Sequence, residues 1–407
     1  MRILYFHQHF STPEGSTGTR SYEMARALLN AGHSVVMVCG SYKGGKTGLN
    51  NEFNKGVRRG LVDGIDVIEL ELNYSNHDSF MRRTTIFLKF ALRSIWIALT
   101  EPGDLVFATS TPLTAGLPGI FAKWFKRKRF IFEVRDLWPE LPREMGVIRN
   151  PIILSLMSVL EWLSYRSADA CIGLSPGIVE GIKKRGRKNL EVAMIPNGSD
   201  LHLFDSPDIK PLRPPGCSAE DFVAIFTGSH GIANGLKAVL LGAQELKRQG
   251  FEKVKIVFIG DGKLKPELIK YTQDNGLDNC IFLDPVSKIE LVKYLKGADI
   301  GLMILDNIPA FYYGTSPNKF FDYIAASLPV LVNYPGWLAD LINEFDIGVS
   351  VEPKNAGSFA NTLVKLSTEN STISIQGMNA LSLAKHRFDR AKLAKEFVEF
   401  IENQLIK

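Results

Sequence analysis

The sequence predicts an α/β protein built from two doubly wound domains, and three observations carry that reading. The chain has 407 residues, which at roughly 100–200 residues per domain suggests two or three domains. Short apolar segments rich in β-branched residues alternate with helical patterns, as parallel strands joined by crossover helices do. The alternation then restarts after a proline-rich, polar stretch at 206–221, SPDIKPLRPPGCSAED. We therefore expect domains at 1–204 and 205–385 that face each other across a cleft. A C-terminal helix over 386–407 is expected to pack back on the first domain.

The elements follow in order. RILYFHQHF opens as a strand. TRSYEMARALLNAG follows as a helix with Met24, Leu28 and Ala31 on one face and Gly32 as its stop signal. HSVVMVCG, DGIDVIELEL, GDLVFATS, RFIFEVRD and ADACIGLS read as further strands, and EVAMIPNG closes the series. The second series runs DFVAIFTG, KVKIVFIGDG, CIFLDP, ADIGLMIL and SLPVLVN, and DRAKLAKEFVEFIENQLIK ends the chain as an amphipathic helix. In doubly wound sheets ligands bind beyond the carboxyl ends of the strands, so those ends and the cleft are where a site is expected.

Composition narrows the class. The chain is 45% hydrophobic and 22% charged, as globular proteins are. The four cysteines, Cys39, Cys171, Cys217 and Cys280, lie far apart with no CxxC, which disfavours a disulfide framework or a structural zinc. MRILYFHQHF is too short an apolar run for a signal peptide. Residues 1–200 hold 26 Lys and Arg against 19 Asp and Glu, while the remainder holds 22 against 24. A basic first half suits an anionic partner, either nucleic acid or a membrane surface. FMRRTTIFLKFALRSIWIAL (80–99) is interrupted by Arg82, Arg83, Lys89 and Arg93, too many charges for a span but suited to an interfacial helix. FAKWFKRKRF (121–130) repeats the basic and aromatic mixture. Two helices packed on the sheet with solvated Lys and Arg would also account for these letters.

The motifs lie at strand ends. In GTSPNKFFDYIAASLPVLV (314–332), Ser316 suits an N-cap and Pro317 the first helical position. Such a helix start suits an anion, and Lys319 adds a charge beside it. Asp322 follows one turn later, where a carboxylate could accept from ribose hydroxyls. A capped helix with a Lys319–Asp322 surface pair is the plainer alternative. In FTGSHGIANGL (226–236), Gly228, Gly231 and Gly235 allow backbone amides to approach a phosphate. His230 is either a cleft residue or a turn residue. IGDGKL (259–264) and FLDPVS (282–287) belong to the same face, with Pro285–Ser287 placed to pair with a base edge. HQHFSTPEGSTGTR (7–20) is a glycine-containing loop but not GxGxxG, which argues against an ordinary dinucleotide fold. FEVRDLWPE (132–140) places Asp136 as a candidate base, with Glu133 inside the strand as the alternative. DxD, HExxH, P-loop and GxSxG patterns are all missing, so metal-independent chemistry is expected.

Together these residues resemble the retaining family-4 glycosyltransferases of the GT-B fold, two facing Rossmann-like domains. The resemblance is carried in order by HFSTPEGSTGTRSYEMARALLNAGHSVVMV, IPNGSD, FTGSHGIANGL, IGDG, ADIGLM and SPNKFFDYIAASLPVL. FEVRDLWPE looks like the branch of bacterial N-acetyl-L-fucosamine transferases that build O-antigen and capsule units. The resemblance implies a UDP-sugar donor held by the second domain. Asp322 stands at the second Glu of the E-x7-E pattern, for the ribose. Asn318 and Lys319 of the same helix and the loop Gly228, Ser229, His230 and Gly231 would line the diphosphate. Pro285 and Val286 would flank the base, Gly18 would approach the β-phosphate, and Asp136 lies near the acceptor-side catalytic position. Two departures stand out: Gly314 replaces the first Glu, and Ser229 and Asn234 replace the usual Arg and Lys of the phosphate loop. The implied activity is transfer of an N-acetylated amino sugar to a polyprenyl-diphosphate-linked saccharide, at the cytoplasmic face of the membrane, with no cofactor and no nucleic acid. An epimerase or hydrolase of similar fold, or a non-catalytic nucleotide- or membrane-binding protein, are the alternatives.

Overall fold

A computed structural model describes residues 1–75 and 78–406. The chain divides into two compact units, one of residues 1–196, 313–316 and 391 onward, the other of residues 197–312 and 317–390. The first unit thus ends at Pro196 rather than near 204, and residues 197–221 fold with the second unit instead of forming a separate linker.

In the first unit, eight strands are β1 (Arg2–Phe6), β2 (Ser34–Tyr42), β3 (Val57–Val62), β4 (Ile65–Tyr74), β5 (Leu105–Thr109), β6 (Arg129–Val134), β7 (Ala170–Gly173) and β8 (Glu191–Met194). Their order is β3-β4-β2-β1-β5-β6-β7-β8. All neighbours are parallel except β3 and β4. The sequence reading missed β3. Its signal was Asp63-Gly64, a dipeptide that accepts positive φ at both positions (49° and 85°) and so closes a two-residue hairpin. β1, β2, β5, β6 and β7 are nearly continuous apolar runs because helices cover both faces of the sheet. The helix Arg390–Ile406 adds Leu393, Phe397 and Ile401 to this core, with Phe397 edge-on to Phe107 of β5 at 5.1 Å.

The second unit holds β9 (Phe222–Thr227), β10 (Val254–Ile259), β11 (Cys280–Leu283), β12 (Ile300–Met303), β13 (Val330–Val332) and β14 (Gly348–Ser350). They form one parallel sheet in the order β11-β10-β9-β12-β13-β14. In each sheet the chain first winds outward one way and then the other. The reversal falls between β1 and β5 in the first and between β9 and β12 in the second. Beyond the carboxyl ends of those strands a crevice opens by topology alone.

Three helices of the first unit leave apolar side chains uncovered: Phe80–Thr100, Leu117–Lys126 and Pro151–Ser167. Met81, Leu88, Leu92 and Trp96 form an outward stripe at helical spacing on the first. Trp124 and Phe125 stand on the second, and Ile152, Leu156, Val159 and Trp162 on the third. Among the described residues no helix is long and apolar enough to cross a membrane.

Candidate functional site

In the second unit the site grows from the carboxyl end of β9. Gly228 follows that strand at φ +130°, a conformation L side chains rarely adopt. Its amide donates to Ile259 O of β10 at 2.9 Å. Gly260, after β10, lies so close that a Cβ there would come within 1.9 Å of Gly228 O. The two strand-end loops are therefore packed backbone to backbone, and glycine is needed for that approach. Gly228 and Ser229 are exposed, and Gly231 is half-buried in extended conformation.

Of its two alternatives His230 takes the loop position, with its ring turned inward. Its ring is fully buried, 5.9 to 6.3 Å from the rings of Phe226, Phe258 and Phe282. Its backbone N–H donates to Asp261 O and its carbonyl accepts from Leu264 N. It supports the loop from beneath. Burial, with Lys265 and Lys319 nearby, brings its pKa down to about 4, so the ring is neutral.

The helix of the opening motif begins at Asn318 and ends at Ala325. Ser316 does not cap it: Pro317 occupies the cap position with extended ψ of 128°, and no side chain caps the helix. Residues 313–316, which include Gly314, cluster with the first unit, where Ser175 Oγ donates to Tyr313 O at 2.7 Å. Asn318 is half-buried, and its Oδ1 has no hydrogen-bond partner.

Lys319 reaches from this helix to the loop after β9. Its Nζ donates to Asn234 Oδ1 at 2.7 Å, lies 4.0 Å from the Phe226 ring centre, and sits beside Gly228. Asn234 in turn donates to Ser229 O at 2.7 Å. Asn234, where the resemblance leads one to expect a loop Lys, thus holds a Lys delivered from the neighbouring helix. Burial lowers the Lys319 pKa to about 7. The charge is therefore costly without an anion and is favoured when one arrives.

Asp322, 5% exposed, is no surface partner of Lys319. Its Oδ1 binds Lys288 Nζ, which also lies 3.6 Å from Asp200 Oδ2; Asp200 is in turn held by Arg390. Burial pushes the Asp322 carboxyl up, opposed by Lys288. Pro285 is exposed and Val286 half-buried, leading into Ser287, which caps the helix Lys288–Lys296.

In the first unit, Gly18 is exposed in the loop between β1 and the helix Arg20–Asn30. Glu133 is not available as a base. It is fully buried, and Arg20 donates to its Oε2 through Nη2 at 2.8 Å and Nε at 3.0 Å. Thr109 Oγ1, at 2.7 Å, and Arg135 Nε, at 3.3 Å, donate to its Oε1. Arg20 also donates to the carbonyls of Ile195 and Pro196, tying the helix start to the end of the unit. Arginine contact outweighs burial and keeps the Glu133 carboxyl below its ordinary value. Asp136 differs: it is half-buried, its Oδ2 accepts from Thr111 Oγ1 at 2.9 Å, and burial raises its pKa. A group the sequence reading passed over is His7, Gln8 and His9, just after β1. His7 Nδ1, both amide atoms of Gln8 and His9 Nε2 are buried without a partner. The group's sequence signal was the run HQH directly after a strand.

The two units each have the Rossmann-like architecture, and comparisons with known proteins give the same class. Residues 15–198 match the family described as Glycosyl transferase 4-like domain, and residues 213–380 match Glycosyl transferases group 1. The chain belongs to the glycosyltransferases of the GT-B fold. Its structure is similar to sucrose-phosphate synthase from Thermosynechococcus elongatus, at 14% identity and a TM-score of 0.75 over 100% of this chain and 99% of that one. It is similar to WaaG, a glycosyltransferase involved in lipopolysaccharide biosynthesis, at 14% identity and a TM-score of 0.67 over 98% and 99%. It is also similar to Anabaena HepE in complex with UDP-glucose, at 16% identity and a TM-score of 0.68 over 99% and 100%. No curated protein sequence matches. Among the described residues no cluster of three or more His, Cys, Asp or Glu is placed to hold a metal ion.

Proposed function

We propose that this glycosyltransferase moves a sugar, an N-acetylated amino sugar such as N-acetylfucosamine, from a UDP-sugar to a polyprenyl-diphosphate-linked saccharide, with retention at the anomeric carbon. The setting is bacterial surface polysaccharide synthesis, O-antigen or capsule, on the cytoplasmic face of the membrane. The observation that carries the donor half is Lys319, held by Asn234 beside the Gly228–Gly231 loop at the carboxyl end of β9. When the nucleotide diphosphate leaves, negative charge grows on its oxygens. Lys319 and the first amides of the helix Asn318–Ala325 stabilise that charge where it develops, without a metal. Asp322 takes the ribose, Pro285 and Val286 flank the base, and Gly18 approaches the β-phosphate. HepE is described in complex with UDP-glucose, which supports a uridine donor. Asp136, with its raised pKa, acts on the acceptor side, and Glu133 positions Arg20 and Arg135.

The acceptor and membrane half rests on the first unit's three helices. Their uncovered Leu92, Trp96, Trp124, Phe125, Ile152, Leu156 and Trp162 stand among exposed Arg82, Lys89, Lys126, Arg127 and Arg166. Apolar residues ringed by cations suit the headgroup layer of an anionic bilayer. Lys128 is not one of these cations, because its Nζ donates to the carbonyls of Ala98 and Glu101.

A thermal-shift panel tests the donor: UDP, GDP, ADP, CMP and their sugars, each with and without EDTA. A ligand that binds only the folded state raises Tm. A shift with UDP and a UDP-sugar, unchanged by EDTA, is expected. No shift with any nucleotide would return the chain to the non-catalytic reading.

A further inference from the structure

Four charged side chains from four segments of the second unit meet in its interior. Asp200, Lys288, Asp322 and Arg390 have side-chain exposures of 1%, 11%, 7% and 6%. Arg390 Nη2 donates to Gly198 O at 2.6 Å, and its Nε binds Asp200 Oδ1. Lys288 Nζ stands between the two carboxylates, bonded to Asp322 and 3.6 Å from Asp200. The set is neutral overall, two carboxylates against two cations.

Asp322 uses only Oδ1 in this arrangement. A carboxylate has two oxygens and about four acceptor directions, so Oδ2 remains to accept. We propose that Lys288 is the positioning residue of the ribose clamp, fixing the Asp322 carboxylate so that Oδ2 receives the ribose hydroxyls of the donor. This rests on the reading that Asp322 binds the ribose. Lys288 is also the first residue of the helix capped by Ser287, immediately after Pro285 and Val286. The loop assigned to the base and the carboxylate assigned to the ribose are therefore joined through one side chain.

Remove the ammonium and burial and two charged groups act on Asp322. Burial and Asp200 favour its neutral form, and Arg390, already paired with Asp200, opposes them weakly. His202 acts on Asp200 in turn. Without Lys288 the balance moves further toward the neutral Asp322 carboxyl, and its charge is regained as pH rises.

The test uses the full chain as wild type, Lys288→Met, Lys288→Arg and Asp322→Asn, titrated by calorimetry with UDP and with 2′,3′-dideoxy-UDP at pH 6.0, 7.0 and 8.5. The ratio of the two affinities reports the ribose contacts and cancels titration of the phosphates and of Lys319. Wild type is expected to prefer UDP at every pH, by about 10- to 100-fold, the range for hydrogen bonds to a charged group. Lys288→Met is expected to weaken the preference, most at pH 6.0 and least at 8.5. Lys288→Arg should retain it, and Asp322→Asn should lack it throughout. If Lys288→Met does not fold, Lys288→Gln takes its place. A Lys288→Met protein with a lower Tm but a wild-type preference at all three pH values makes Lys288 merely structural and overturns the proposal. A wild type that does not distinguish the two ligands while binding both removes Asp322 from the ribose, and the underlying reading falls with it.

Discussion

At the scale of single residues, half-buried Lys319 and fully buried Arg20 show opposite uses of a cation. Lys319 has one neutral hydrogen-bond partner and an aromatic face, so burial has brought its pKa to about 7. Its ammonium form dominates below that pH and fades above it, while a bound diphosphate favours the charge. Affinity for UDP-glucose, whose diphosphate does not titrate in this range, should therefore fall as pH rises from 6.5 to 8.5. Lys319→Met should bind it weakly with a flat profile. Calorimetry at fixed ionic strength checks both. Arg20 is fully paired, two bonds to Glu133 and two to carbonyls. Arg20→Met leaves Glu133 buried with only Arg135 and Thr109, and should cost about 3–5 kcal/mol in denaturant unfolding. Because the folded-state pKa of Glu133 lies below its ordinary 4.5, its contribution is present above that pH and lost on acidification through the folded value.

At the scale of elements, the loops after β9 and β10 hold each other by close backbone approach. Gly260→Ala would place a methyl 1.9 Å from Gly228 O. The Gly228–Gly231 loop must then move, and nucleotide-induced stabilisation in thermal shift should drop sharply. The three uncovered helices make a separate prediction. Leu92, Trp96 and Ile152 are 68%, 70% and 68% exposed. Changing all three to Ser should leave Tm within a degree or two and abolish co-sedimentation with anionic liposomes. Unchanged sedimentation would remove the membrane from the proposed function.

At the scale of the molecule, the chain returns at Ala391 to complete the unit it began. Leu393, Phe397 and Ile401 belong to the first core, not to the core of the residues just before them. Deleting 391–407 should therefore expose the first unit to limited proteolysis while 197–390 stays resistant. Mass spectrometry of the fragments distinguishes this from digestion of the second unit or of both. The units also differ in surface: uncovered helices with exposed cations lie on the first, and the glycine loops after β9 and β10 on the second.

The sequence by itself determined the alternation of strands and helices, the parallel sheets and the placement of candidate residues at strand ends. Those properties follow from local periodicity and from glycine at positive φ, and neighbours in the chain suffice to set them. It also made the second-unit strand-end segments legible as candidates, since FTGSHGIANGL and SPNKFFDY are each contiguous runs that mark a loop and a helix start. Tertiary structure alone decided which charges are partnered. Lys288 with Asp322, Arg20 with Glu133 and Lys319 with Asn234 lie 34, 113 and 85 positions apart. Partner choice between such residues is set by burial and three-dimensional proximity, which no local pattern encodes. For the same reason Glu133, legible as a carboxylate at a strand's end, proved to be a buried ion pair. His230, legible as a loop residue, proved to be the loop's aromatic support.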